Sequence, residues 1–373
     1  MKTIIIMIIS LLYNNYITAN EQIPLIDKKL SQGDIAPILV ENNIILVDKY
    51  GTLYSFKREN PKILNWKLNF PYKKIYNMSL SHYKKTVFFI INNILFSVDE
   101  KTGKIQWEKE LKAPVRGKAI AINNKLLLLT IDNCLYAFNI KNGNYTWNYQ
   151  NNVNPIRGLY SISPVISNNK IIAPFSNGEL IAFNENGKKL WSQKLTTNIL
   201  DTQFTDITTT PKTFDDILIV TNNSHIYGIN VNLGKILWSK QLKIRNMSDI
   251  VSYYNPSVYI EKQESKKVKK IIFTTTKDNK IIGIEIENGE IIWSSDLIKK
   301  NIQLLDPIVH ANTLWITSNK GLIFAFPRFG NLKKTIEIPN VFRYALMFTK
   351  NKIYVTTKKN GIFSLKNIFT SYD

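Results

Sequence analysis

Five times along this chain a glycine stands four residues before a tryptophan: Gly103 and Trp107, Gly143 and Trp147, Gly187 and Trp191, Gly234 and Trp238, Gly289 and Trp293. The text around each pair repeats too, as NILFSVDEKTGKIQWEKEL from Asn93, NCLYAFNIKNGNYTW from Asn133, GELIAFNENGKKLWSQKL from Gly178, HIYGINVNLGKILWSKQL from His225 and KIIGIEIENGEIIWSSDL from Lys280. An earlier copy, LYSF at Leu53 to Phe56, leads to Trp66 without the glycine. Successive tryptophans lie 41, 40, 44, 47 and 55 residues apart. A unit of that length cannot bury its apolar face alone, so copies must stack on one another, and the fold is a repeat architecture.

Each copy reads as short strands. Ile171 to Pro174 is a brief apolar run, Leu180 to Phe183 alternates around Ala182, and Asn186-Gly187 marks a tight hairpin turn. In the strand after the turn, Trp is followed four residues later by Leu111, Leu195, Leu242 or Leu297, with Phe70 in that place after Trp66. Period-2 alternation puts both side chains on one face. A period of about 40–45 residues with four such strands is that of propeller blades. Leu53, Leu95, Leu135, Leu180, Ile226, Ile281, Ile323 and Ile362 each mark the central strand of one copy. The seventh copy keeps Gly330 but has Lys334 at the tryptophan place, and the eighth, from Gly361, stops before its last strand. Pro24 to Leu30 (PLIDKKL) aligns with Ile105 to Leu111, with Ile26 at the tryptophan position. The expected fold is therefore all-β: an eight-bladed β-propeller of four-stranded blades, closed by an N-terminal strand that completes the last blade. Closure of this kind removes open sheet edges.

Residues 1–19 differ in kind. Lys2 precedes an apolar run from Thr3 to Tyr13, and Ala19 stands at a plausible cleavage point. The run is shorter than the ~20 residues of a membrane span and reads as a secretory signal peptide, with an uncleaved anchor as the alternative. The expected organisation is this signal followed by one propeller over residues 20–373. The formal charge of +21 invites a nucleic-acid reading, but export and the lack of any such motif oppose it, and coding bias toward Lys, Asn and Ile is the competing source. One cysteine, Cys134, excludes an intramolecular disulfide and a Cys-rich metal site. His82, His225 and His310 fall in different copies without ligand spacing, and no catalytic motif or phosphate loop appears, so no cofactor or metal is expected.

The recurring Trp66, Trp107, Trp147, Trp191, Trp238 and Trp293 are either a ring of ligand-stacking aromatics or indoles packed between blades. Recurrence with the glycine in nearly every copy favours packing. Trp315, outside the pattern, is expected in the core of a seventh-blade strand. The strand-Gly-Lys-x-x-Trp text (TGKIQW from Thr102, LGKILW from Leu233) resembles the tryptophan-docking repeat of PQQ-type eight-bladed propellers. Two families share that repeat: quinoprotein dehydrogenases, and the BamB family of propellers in the machinery that inserts β-barrels into bacterial outer membranes. The dehydrogenases use a vicinal cysteine pair over the quinone, which one cysteine cannot supply. A PQQ-dependent enzyme or ligand-binding propeller remains the alternative.

Two further segments resemble the BamB family. NPIRGLYSISP from Asn154 matches its Ile/Leu-Arg-Gly opening of the fourth blade, and DITTTP from Asp206 matches its Asp-x-Asp-Thr-Thr-Pro. Carried over, the resemblance implies a non-catalytic periplasmic scaffold, peripheral to the outer membrane of a Gram-negative bacterium. It would act as a monomer that docks a BamA-like protein through Ile156, Arg157 and Asp206 and holds unfolded outer-membrane proteins. Arg157 and Asp206 pairing within the propeller is the structural alternative. Asn154 and Thr208 depart from the family's Leu and second Asp, and no cysteine is placed to accept a lipid. The insertion from Lys262 to Lys270 (KQESKKVKK) reads as a long solvated hairpin whose functional version would touch an anionic outer-membrane lipid surface.

Overall fold

A computed structural model describes residues 35–366 apart from 73, 154–159, 196–205, 223–224, 242–256, 263–267, 277–278, 296–301, 306, 311–312, 328–333, 338–345, 349–351 and 358–360. The expected signal at 1–19 and the closing strand at 24–30 lie outside these residues. The chain is all-β. Among the described residues it forms eight antiparallel sheets, seven of four strands and the last of three, each built from strands consecutive in sequence. In order they span residues 38–68, 78–110, 120–150, 165–194, 212–241, 257–294, 308–337 and 347–366. The eight residues counted from sequence each fall in the third strand of one sheet.

Burial explains the strand sequences. Lys125–Leu129 (KLLLL), the second strand of sheet three, is apolar throughout because its two faces meet different neighbours. Leu126 and Leu128 pack with Phe88, Ile90 and Leu95 of sheet two, whereas Leu127 and Leu129 pack with Ile171, Ala173 and Ile181 of sheet four. Strands covered on both faces read as continuous apolar runs. Sheets four to eight continue the stacking through four further shared clusters. Tyr354 of sheet eight then packs with Ile44, Leu46 and Phe56 of sheet one, and its hydroxyl donates to the Arg58 carbonyl at 3.1 Å. This is the stacking of a β-propeller. Fourth strands differ: Ile105–Glu110, Tyr145–Gln150 and Lys189–Lys194 alternate exposed and half-buried residues, as expected at a rim.

Five of the tryptophans lie on the glycine of the following sheet, not of their own. An ideal Cβ on Gly103 would stand 2.6 Å from the Trp66 ring, and one on Gly143 equally close to Trp107. Gly187 receives Trp147, Gly234 receives Trp191 and Gly289 receives Trp238 in the same way. The indole Nε1–H of each donates to a carbonyl of that next turn: Trp66 to Glu100, Trp107 to Ile140, Trp147 to Glu185, Trp191 to Val231 and Trp238 to Ile286, at 2.7–3.0 Å. Trp293 meets Phe273 and Phe326 edge-on, both at 5.8 Å.

The turn itself is longer than a two-residue hairpin. Phe183 pairs with Lys189, and the Asn184 carboxamide oxygen accepts the N–H groups of Asn186 and Lys188. Asp99, Asn139 and Asn230 cap their turns similarly, which explains the recurring Asp or Asn at the end of the third strand in sheets two to five. A β-bulge immediately before the tryptophan interrupts the register in sheets one to six. Sheet seven, where Lys334 pairs with Ala325 at the tryptophan place, shows no such shift.

Candidate docking surface

Successive strands run antiparallel, so the segments that lead into first strands and the turns between second and third strands share one end of the stack. The segments entering sheets three, four and five meet there. Gly117 is required by contact: a Cβ would stand 2.5 Å from the Ile162 carbonyl carbon, backbone against backbone. That approach lets the Lys118 N–H donate to Ser163 Oγ at 2.6 Å. The Ser163 N–H donates in turn to Thr210 Oγ1 at 3.1 Å. Ser163 and Thr210 each precede a proline, Pro164 and Pro211, which holds them extended. Three neighbouring sheets are thus joined by a two-step chain of hydrogen bonds.

Behind it, Thr208 N–H donates to the Thr221 carbonyl at 3.0 Å, and the Thr208 and Thr209 hydroxyls lie 3.0 and 2.8 Å from Thr221 Oγ1. Thr208 is therefore part of a buried hydroxyl pair with Thr221. Asp206, also expected at this surface, is 3% exposed. A carboxylate buried to that degree is held by the fold and is not presented to solvent. Burial, and after it the charge of Asp206, raises the pKa of Tyr160, which places the two near each other. Ile156 and Arg157, with Asn154, lie outside the described residues, between exposed Val153 and half-buried Tyr160. Desolvation by the protein around its head group and then the charge of Lys212 lower the pKa of Lys118, although the residue as a whole is exposed. Sequence reading found Asp206 but missed Gly117, Lys118, Ser163 and Thr210. The Ser-Pro and Thr-Pro steps were the visible signal, but their link across sheets is not local.

Cys134 is buried in the third strand of sheet three, with Asn148 Nδ2 at 3.4 Å from its sulfur. His82 pairs with Glu100 at 2.8 Å, His225 stacks on Tyr227 and His310 on Phe348. Among the described residues no three His, Cys, Asp or Glu are grouped to hold a metal ion, and no helix is long and apolar enough to cross a membrane.

A search of curated proteins finds no match to this sequence. Among solved structures, the crystal structure of BamB from Moraxella catarrhalis is similar with a TM-score of 0.73 at 14% identity, covering 94% of this chain and 99% of that one. Saccharomyces cerevisiae Sqt1 matches with a TM-score of 0.71 at 9% identity, over 94% of this chain and 99% of that one. Quinohemoprotein alcohol dehydrogenase from Comamonas testosteroni matches at 0.63 and 10% identity, over 89% of this chain and 71% of that one. At these identities the likenesses establish the propeller fold and nothing finer. The family model described as "Outer membrane protein assembly factor BamB" matches residues 79–295, more than half of the chain and all of the surface just described, and the chain belongs to that family.

Proposed function

We propose that this protein is a non-catalytic periplasmic scaffold of outer-membrane β-barrel assembly, which docks a BamA-like protein at the entry segments of sheets four and five. The observation that carries the reading is the BamB family match from sheet two through sheet six, which includes both segments. In this mechanism the protein positions its partner and performs no reaction. Ile156 and Arg157 are the contact residues, buried Asp206 belongs to the fixed entry segment of sheet five, and the Lys118–Ser163–Thr210 chain keeps the three sheets in fixed relation. Arg suits such a contact because it combines charge with a planar, strongly bonding head. The eight sheets act as the eight blades of one closed ring, with residues 24–30 beside the third strand of sheet eight as its missing fourth. The packing of Tyr354 against sheet one supports that closure.

The test is co-purification from detergent extracts of the cell envelope. The wild-type chain brings down a barrel-assembly protein and Arg157→Glu loses it. Wild-type pull-downs without such a partner would end the reading. Quinone chemistry is the rival, and the residues do not fit it: the vicinal cysteine pair is absent, and the one thiol is buried in a strand. A stoichiometric chromophore on addition of PQQ and Ca²⁺ would restore that rival.

A further inference from the structure

The opposite end of the stack carries the turns between third and fourth strands, and these turns are basic. Lys101 and Lys104 flank Gly103, Lys141 precedes Gly143, Lys188 follows Gly187 and Lys235 follows Gly234, and all five are exposed. Among the described residues none of them is in an ion pair, whereas several carboxylates at that end are engaged: Glu100 with His82, Glu185 with Lys125 and Asp215 with Lys270. The basic run stops at sheet six, where Glu287 and Glu290 stand in the equivalent turn.

Apolar side chains are interleaved with these lysines. Leu233, at the tip of the sheet-five turn, is 70% exposed. Ile105, Tyr145 and Ile236, each two residues before a tryptophan, are also exposed. Their repetition is a product of the blade, because every turn presents the same positions. A protein partner would favour a compact apolar centre with few lysines. Here lysines recur along a row of four successive turns, and these exposed apolar groups accompany them in three of the four. A row of that kind fits an extended anionic plane, where lysine stems lie along the surface and apolar tips enter the headgroup boundary.

We propose that the third-to-fourth-strand turns of sheets two to five form a membrane-contact face for anionic phospholipid, with Leu233 as its apolar tip. Because the face lies at the end opposite Asp206 and Ser163, the protein presents one end to lipid and the other to a partner. Vesicles contain no protein, so the test of this face is independent of the docking reading.

The experiment is co-flotation of the full chain with phosphatidylcholine vesicles, with and without phosphatidylglycerol. Every variant shares the same N-terminal segment, so differences between variants isolate the turns. The wild type floats with anionic vesicles and is released by salt. A lysine near such a surface is worth about fivefold in partitioning, so Lys188→Glu with Lys235→Glu lowers binding at least about tenfold. Leu233→Asp also lowers it, and Leu233→Ser does so with no change of charge. Lys49→Glu with Lys112→Glu makes the same charge change at the other end and retains most of the binding. No flotation of the wild type, or equal losses in the two double variants, overturns the proposal. So does competition by polyglutamate with Leu233→Asp behaving as wild type, which would mark an acidic protein as the occupant.

Discussion

Gly143 holds a φ of +66°, and any side chain there would meet Trp107 at 2.6 Å. Gly143→Ala therefore combines left-handed backbone strain with displacement of an indole, and it lowers stability by about 2–4 kcal/mol in chemical denaturation. With Trp107→Ala already in place the added cost falls to the backbone share, about 1–2 kcal/mol, because the methyl no longer meets a ring. Additive losses in that double-mutant cycle would contradict the contact. Glu179 makes a second residue-scale prediction. Burial pushes its pKa up, but hydrogen bonds from Ser192 and Asn151 and the charge of Lys189 outweigh that, leaving it below its usual 4.5. A carboxyl depressed on folding adds stability above its unfolded pKa and loses it as pH falls through the folded value. The unfolding midpoint of the wild type drops on acidification below about pH 4.5, and Glu179→Gln flattens that drop. At this scale the tryptophans and glycines were legible because their spacing repeats. Asp206 was legible as a residue but not as a buried one, since its cover comes from other sheets.

The third sheet is held between two neighbours by separate clusters on its two faces, and Cys134 lies within it, 1% exposed. Burial also raises the thiol pKa, which suppresses the reactive thiolate. A thiol reagent at mildly alkaline pH therefore labels the native protein only as fast as this sheet opens, and labelling becomes immediate in denaturant. Prompt labelling of the native chain would show that the sheet is not sandwiched as described. The alternation of apolar residues revealed the strands, and the strand count per copy followed. The bulge before each tryptophan was not legible. It inserts one residue, such as Thr146 between the partners of Ala137 and Phe138, and leaves the period between copies unchanged. The turn caps at Asp99 and Asn184 were hidden for a related reason: the glycine is the more conspicuous signal, while the side chain that satisfies the turn's N–H groups sits before it.

Across the whole molecule, sheet eight has three described strands and sheet one packs against it through Tyr354. If residues 24–30 supply the fourth strand, a chain without residues 20–34 exposes a bare strand edge. That chain unfolds at lower denaturant and aggregates on concentration, whereas the parent does neither. Unchanged behaviour would assign the N-terminal segment another role. The contact of each tryptophan with the following sheet's glycine has a consequence for how such a chain can evolve. The motif visible in the sequence pairs Gly103 with Trp107, but the pair in contact is Trp66 with Gly103. A duplicated copy would thus inherit half of two contacts, one offered forward and one received from behind. Since five successive indoles meet the following turn in the same way, such a copy would present the same two half-contacts to its new neighbours, and compensating substitutions should be sought one repeat apart.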